Sequence, residues 1–152
     1  NIKKPIADWA ALGVTRANGS SLPVADVEGS IVLPSGRTGP AFLVYGNYRA
    51  ILVWNRSTLY ALAVGILSDR LAGRGHLVAK QPANDRPLSR TDVLTMQRYL
   101  NQLGFAAGEP DGMVGPMTRN AIKEYQRKAG LPADAYPTAG LIEKMKSDAA
   151  GL

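Results

Sequence analysis

The chain has 152 residues, enough for one medium domain or two small ones. Its 45% hydrophobic and 20% charged residues exclude an intrinsically disordered protein, and a net charge of +6 points to an anionic partner without choosing among nucleic acid, acidic lipid and cell-wall polymer. The lack of cysteine excludes disulfides, thiolate metal sites and cysteine nucleophiles, and it suits an oxidising compartment.

The chain opens at Asn1 without an initiator Met, so a processed piece of a longer protein is expected. Pro5 at a first-turn position, followed by Ile6, Trp9 and Leu12 before Gly13, predicts a short helix with a glycine stop. The apolar runs Ile31-Val32-Leu33 and Ala41 to Tyr45 flank a Pro- and Gly-rich segment from Pro34 to Pro40, which predicts a β-hairpin. Asn47 then precedes Tyr48, Ile51 and Leu52 at helical spacing. Ser57 is a suitable N-cap for a helix running to about Leu71. That helix is apolar nearly all round, through Leu59, Tyr60, Leu62, Val64, Ile66, Leu67 and Leu71. Such a helix demands more body to bury it than the N-terminal region supplies, so missing partner surface is expected. The run from Leu59 to Leu67 is too short for a membrane span of roughly 20 residues.

Gly73 to Pro87 is polar, rich in Gly and Pro and without apolar period, and reads as a linker. The expected organisation is therefore 1–73, a linker over 74–87, and a small module over 88–152. Ser89 to Asp92 has capping-box spacing, and Val93, Met96, Leu100 and Leu103 form one stripe ended by Gly104. A second helix begins at Pro116 after Gly115, buries Ala121, Ile122 and Tyr125, and stops at Gly130. A third starts at Thr138 after Pro137 and carries Leu141, Ile142 and Met145. Between the first two, Asp111-Gly112 supplies a left-handed position and a side-chain bond to the local backbone.

Residues 88–145 resemble the three-helix peptidoglycan-binding domain appended to many cell-wall enzymes. The resemblance is carried by Val93-Leu94, Leu100 to Phe105, Asp111 to Thr118, Ala121 to Gln126 and Gly130-Leu131-Pro132. Asp111, Gly112, Gly115 and Thr118 can equally serve only to build the interhelix turn. Residues 3–73 are similar to the last part of the catalytic domain of B-type lytic murein transglycosylases. Here the matching stretches are Trp9 to Val14, Leu33 to Gly36, Gly39 to Val44, Asn47-Tyr48 and Trp54 to Val64. The implied fold is mainly α with a small β-hairpin region: the C-terminal part of a lysozyme-like α+β catalytic domain, followed by a three-helix peptidoglycan-binding domain. The implied activity cleaves the β-1,4 bond between N-acetylmuramic acid and N-acetylglucosamine. The muramic acid 6-hydroxyl captures the anomeric carbon, giving a 1,6-anhydro product.

That family uses one Glu, in a Glu-Ser pair upstream of the matching segments, as its acid/base. No such pair occurs here; the glutamates are Glu28, Glu109, Glu124 and Glu143. The resemblance therefore implies a catalytic residue on other sequence, and the chain alone is expected to be inactive. No cofactor or metal is expected: His76 is the only histidine, and it falls in the linker. Asp69 beside Arg70 reads as an ion-paired or solvated face.

The strongest candidate binding segment is Trp54 to Tyr60, with Tyr48 nearby. In the family these positions line the cleft opposite the acid/base. Aromatic faces suit sugar rings, and the Asn55 amide can donate to and accept from hydroxyl or acetamido groups. Trp54, Asn55, Ser57, Tyr60 and Tyr48 are thus the candidate substrate-binding residues. Asn55 and Ser57 could alternatively cap the next helix, and Tyr60 and Tyr48 could pack in a core. Arg119, Lys123, Arg127 and Lys128 recur along the second C-terminal helix, but nothing beyond charge suggests nucleic acid. The expected partner is peptidoglycan glycan strands, with the missing catalytic half as a second, in the periplasm or cell envelope. The alternative is a stand-alone, non-catalytic wall-binding or scaffold protein.

Overall fold

The computed structural model describes residues 2–74, 77, 78 and 86–151. Most of the expected linker, with His76, lies outside them. The chain divides into two compact units, residues 1–34 with 39–81, and residues 35–38 with 82–152. The described residues form six helices and one three-stranded antiparallel sheet.

The first unit opens with a two-residue strand β1 (Lys4–Pro5), then α1 (Ile6–Ala11), β2 (Glu28–Val32) and β3 (Phe42–Val44). Strand β1 pairs with the start of β2 (Lys4↔Gly29, Pro5↔Glu28), and β2 pairs with β3 from Ser30↔Val44 to Val32↔Phe42. Pro5 is tolerated because β1 is an edge strand, where its missing N–H leaves no ladder bond unmade. Its backbone then caps α1, which starts one residue later than the expected first turn. The hairpin lies where the apolar runs placed it, but β2 begins at Glu28 rather than Ile31 and ends before Leu33. The extension comes from pairing with β1, a contact between distant residues that no local apolar run encodes. Trp9 Nε1 adds a 3.0 Å bond to the Gly29 carbonyl, and a Lys3–Glu28 ion pair closes the edge.

Helices α2 (Gly46–Trp54) and α3 (Thr58–Leu71) follow. Tyr48, Ala61 and Leu62 pack with Val32 and Val44 from the sheet, flanked by Phe42, Ile51 and Leu52. Ser30 is buried, and Arg49 Nη2 on α2 donates to its hydroxyl at 2.7 Å. Only Ala61 and Leu62 of α3 are buried. Tyr60, Val64, Leu67 and Leu71, spaced four, three and four residues apart, form an exposed apolar stripe along it.

The second unit contains α4 (Arg90–Gln102), α5 (Pro116–Lys128) and α6 (Ala139–Ala150). Each start has a local cause. The Ser89 hydroxyl accepts from the Asp92 N–H (3.1 Å), and the Ser89 N–H donates to the Asp92 carboxylate (2.9 Å), completing the capping box. Pro116 holds the first helical position of α5, and the Thr138 hydroxyl accepts from the Leu141 N–H at 3.1 Å. The chain leaves α4 and α5 through Gly104 and Gly130, both in the left-handed region. Met96, Leu100, Ile122 and Met145 are fully enclosed at the centre, with Ala107, Ala121, Tyr125, Leu141 and Ile142 around them.

Candidate functional site

The α2–α3 corner is a short polar hinge between two apolar helices. Asn55, the C-cap of α2, has extended backbone (φ −134°), which turns the chain out of the helix. Its Oδ1 accepts the Ser57 N–H at 3.1 Å, and the Ser57 hydroxyl accepts the Tyr60 N–H at 3.2 Å. These two bonds fix the hinge and begin α3. Asn55 uses only its carbonyl oxygen in them, and its amide NH2 makes no hydrogen bond among the described residues. Trp54 is 78% exposed and Tyr60 40%, and their rings sit 5.8 Å apart at 48°. Exposed aromatics side by side, with an amide in the same hinge, suit a sugar ring carrying an acetamido group.

Of the five residues singled out by sequence, the fold gathers Trp54, Asn55 and Tyr60 at this corner. The Ser57 hydroxyl is engaged in the cap. Tyr48 sits at 6% exposure in the core beneath. At the other end of α2, burial pushes the Tyr45 phenol above its ordinary pKa; Arg16 opposes this and Asp69 adds to it.

Among the described residues no cluster of His, Asp or Glu could hold a metal ion. Glu28 is paired with Lys3, and Asp69 with Arg74 at 3.0 Å. Glu109, Glu124 and Glu143 are exposed on the second unit. None of the four glutamates is buried.

In the second unit the α4–α5 turn is built on Gln97, a residue that sequence reasoning passed over. Its side chain is 1% exposed. Its Oε1 accepts from the Asp111 N–H (3.1 Å) and the Gly112 N–H (2.9 Å), while Nε2 donates to the Asp111 carboxylate (2.9 Å), the Met113 carbonyl (3.2 Å) and the Thr118 hydroxyl (3.1 Å). The Gln97 bond, then one from the Met113 N–H, lower the Asp111 pKa below its ordinary value. Asp111, Gly112 and Thr118 thus shape the turn. The available signal was a polar residue at i+4 from Val93, on the apolar face of α4. Gln126 does the same on α5, donating to Asp134 at 2.8 Å and accepting from the Ala135 N–H at 2.9 Å.

A cleft of about 360 Å³ opens where α4, α5 and α6 end, lined by Leu103, Phe105, Tyr125, Lys128, Ala129 and Asp148. Phe105 and Tyr125 meet edge to face at 5.6 Å, and Lys128 Nζ stands 5.6 Å from the centre of the Phe105 ring. The Tyr125 hydroxyl donates to Asp148 at 2.8 Å, and Lys144 reaches the same carboxylate at 3.2 Å. The Tyr125 bond, followed by Lys144, depresses the Asp148 pKa. Burial first, then Asp148, push the Tyr125 phenol far up. Both groups therefore keep their neutral-pH states, phenol and carboxylate.

Residues 1–69 match the family described as transglycosylase SLT domain, and residues 89–145 match the putative peptidoglycan binding domain. Two crystal structures of SltB3 from Pseudomonas aeruginosa, one in complex with NAG-anhNAM-pentapeptide and one with NAG-NAM-pentapeptide, superpose with a TM-score of 0.86 at 44% identity. The similarity covers 95% of this chain and 39% of SltB3. The N-acetylmuramoyl-L-alanine amidase CwlM of Mycobacterium tuberculosis is 38% identical over 82 residues, 46% of this chain and 20% of CwlM. The chain thus spans well under half the length of either relative.

Proposed function

We propose that this chain, with its match to the transglycosylase SLT domain over residues 1–69 and to the putative peptidoglycan binding domain over 89–145, serves as the peptidoglycan-binding C-terminal part of a lytic murein transglycosylase in the periplasm or cell envelope. The parent activity is cleavage of the N-acetylmuramic acid to N-acetylglucosamine β-1,4 bond with a 1,6-anhydro product. The observation that carries this reading is the Trp54–Asn55–Tyr60 corner, which presents two exposed aromatic faces and a free amide inside the SLT-matching segment. In this reading the corner is one wall of a glycan cleft. In this reading the acid/base stands on sequence outside this chain: Glu28 is paired with Lys3, and Glu109, Glu124 and Glu143 are exposed on the second unit. The exposed stripe from Tyr60 to Leu71 supports a partner surface beside that cleft.

The test is co-sedimentation of the full chain with insoluble peptidoglycan at moderate salt, paired with analysis of the soluble fraction. Retention without release of 1,6-anhydro muropeptides is expected. Trp54→Ala with Tyr60→Ala should lower affinity for glycan oligomers and leave the melting temperature unchanged. Release of anhydro product by this chain would place the acid/base among its own carboxylates and overturn the assignment. Failure to sediment, together with salt-sensitive DNA binding, would overturn wall binding itself.

A further inference from the structure

The cleft at the ends of α4, α5 and α6 has the features of a ligand site that the glycan-facing corner does not explain. Its volume of about 360 Å³ lies at the small end of ligand pockets, the size of one or two amino-acid residues. Its floor is apolar (Leu103, Ala129), and two aromatic rings in edge-to-face contact stiffen one wall. Opposite charges stand at its rim. Lys128 makes no ion pair or hydrogen bond among the described residues; its ammonium is held only over the Phe105 ring. Asp148 is ionised and fixed by Tyr125 and Lys144, and a carboxylate bound that way keeps acceptor capacity to spare.

We propose that this cleft binds a peptide side chain ending in a free amino-acid head, ammonium and carboxylate on one carbon, carried on an alkyl chain. Lys128 takes the carboxylate, Asp148 takes the ammonium, and Phe105, Tyr125 and Leu103 cover the methylenes. Given peptidoglycan binding, on which this rests, the ligand is the uncrosslinked diamino-acid residue of a stem peptide. A sugar ring would use the aromatic wall and leave both charges unanswered. The two units would then read different parts of one polymer, glycan at the α2–α3 corner and stem peptide at the helix ends.

The experiment is calorimetric titration of the full chain with three soluble probes: L-Ala-γ-D-Glu-meso-diaminopimelate, the same tripeptide ending in L-lysine, and N-acetylglucosamine tetramer. The lysine peptide keeps the ammonium and lacks the terminal carboxylate. The diaminopimelate peptide should bind about tenfold tighter, the scale of one hydrogen bond to a charged group. Lys128→Gln should abolish that preference with the melting temperature unchanged, and Lys128→Arg should retain it. Equal binding of the two peptides, or a preference surviving Lys128→Gln, would sink the assignment. So would displacement of the peptide by the tetramer. A chain that sediments with insoluble peptidoglycan yet binds neither peptide refutes the cleft and leaves wall binding standing. A chain that does not sediment refutes the reading beneath it.

Discussion

Replacing Gln97 by Leu tests whether the second unit is specified by its apolar core or by the polar post inside it. Leu keeps the approximate volume and the helix propensity, so the change isolates the hydrogen bonds. The Asp111 and Gly112 N–H groups lose the acceptor they share at 3.1 and 2.9 Å. An unpaired buried donor costs about 1–3 kcal/mol. Asp111 is exposed and Gly112 half-buried, so water recovers part of the first loss and little of the second. The Thr118 hydroxyl retains weaker partners in the Ala107 and Met113 carbonyls, both at 3.4 Å. After the gain from burying two methyl groups, the net cost is about 2–3 kcal/mol. For a unit of this size that lowers the melting temperature by about 10–20 °C, measured by far-UV circular dichroism. A drop smaller than about 3 °C would refute the reasoning, because the turn would then hold without its buried acceptor.

The same turn makes Gly112 irreplaceable on two grounds. It has φ +76°, and a Cβ there would lie 2.5 Å from Arg90 Cγ and 3.1 Å from the Arg90 carbonyl oxygen. Gly112→Ala should cost about 1–2 kcal/mol from backbone conformation alone, more with the clash, read as a shifted urea midpoint at constant slope. Ser57→Ala removes the N-cap of α3 and should destabilise the first unit by about 1 kcal/mol, seen as earlier unfolding in tryptophan fluorescence, both Trp9 and Trp54 lying in that unit. Asp92, Asp111 and Asp148 all have pKa values lowered by folding, chiefly through bonds from Ser89, Gln97 and Tyr125 respectively. A depressed carboxyl stabilises fully above its unfolded value of about 3.9 and loses that contribution as pH falls through the folded value. Stability of the second unit should therefore be flat from pH 7 to about 5 and fall below pH 4; urea midpoints across that range check it.

Features set by neighbours in sequence were legible. The Ser89–Asp92 box, Pro116 after Gly115, the Thr138 cap and the glycine exits at 104 and 130 each act within one helical turn, so spacing alone revealed them. Strand β1 was hidden because its two residues become a strand only by pairing with Glu28 and Gly29 more than twenty positions away. The cleft was hidden for the same reason, its lining running from Leu103 to Asp148 across three helices. Lys128 read as one more basic residue on a solvated face; the Phe105 ring beneath it singles it out. At the α2–α3 corner, spacing offered capping and ligand contact as rivals. The fold gives Asn55 room for both: its oxygen caps while its NH2 stays free.

Helix α3 then carries two kinds of surface whose separation bears on which reading of the chain is right. Its N-terminal end joins the polar, aromatic corner. Beyond Tyr60, the stripe of Val64, Leu67 and Leu71 is purely aliphatic, with Leu67 at 58% and Leu71 at 82% exposure. Sugar hydroxyls gain nothing from such a surface, whereas another protein segment does. Covering those three side chains would contribute up to about 5 kcal/mol before ordering costs. Single exposed aliphatics are commonplace on protein surfaces. A contiguous stripe beginning at the residue proposed to hold glycan is a different matter, because it would fix a partner segment against the same helix and hence at a set distance from the corner. In the proposed reading the stripe is the surface on which a catalytic half would dock; in the alternative, a stand-alone scaffold, it would stay in water.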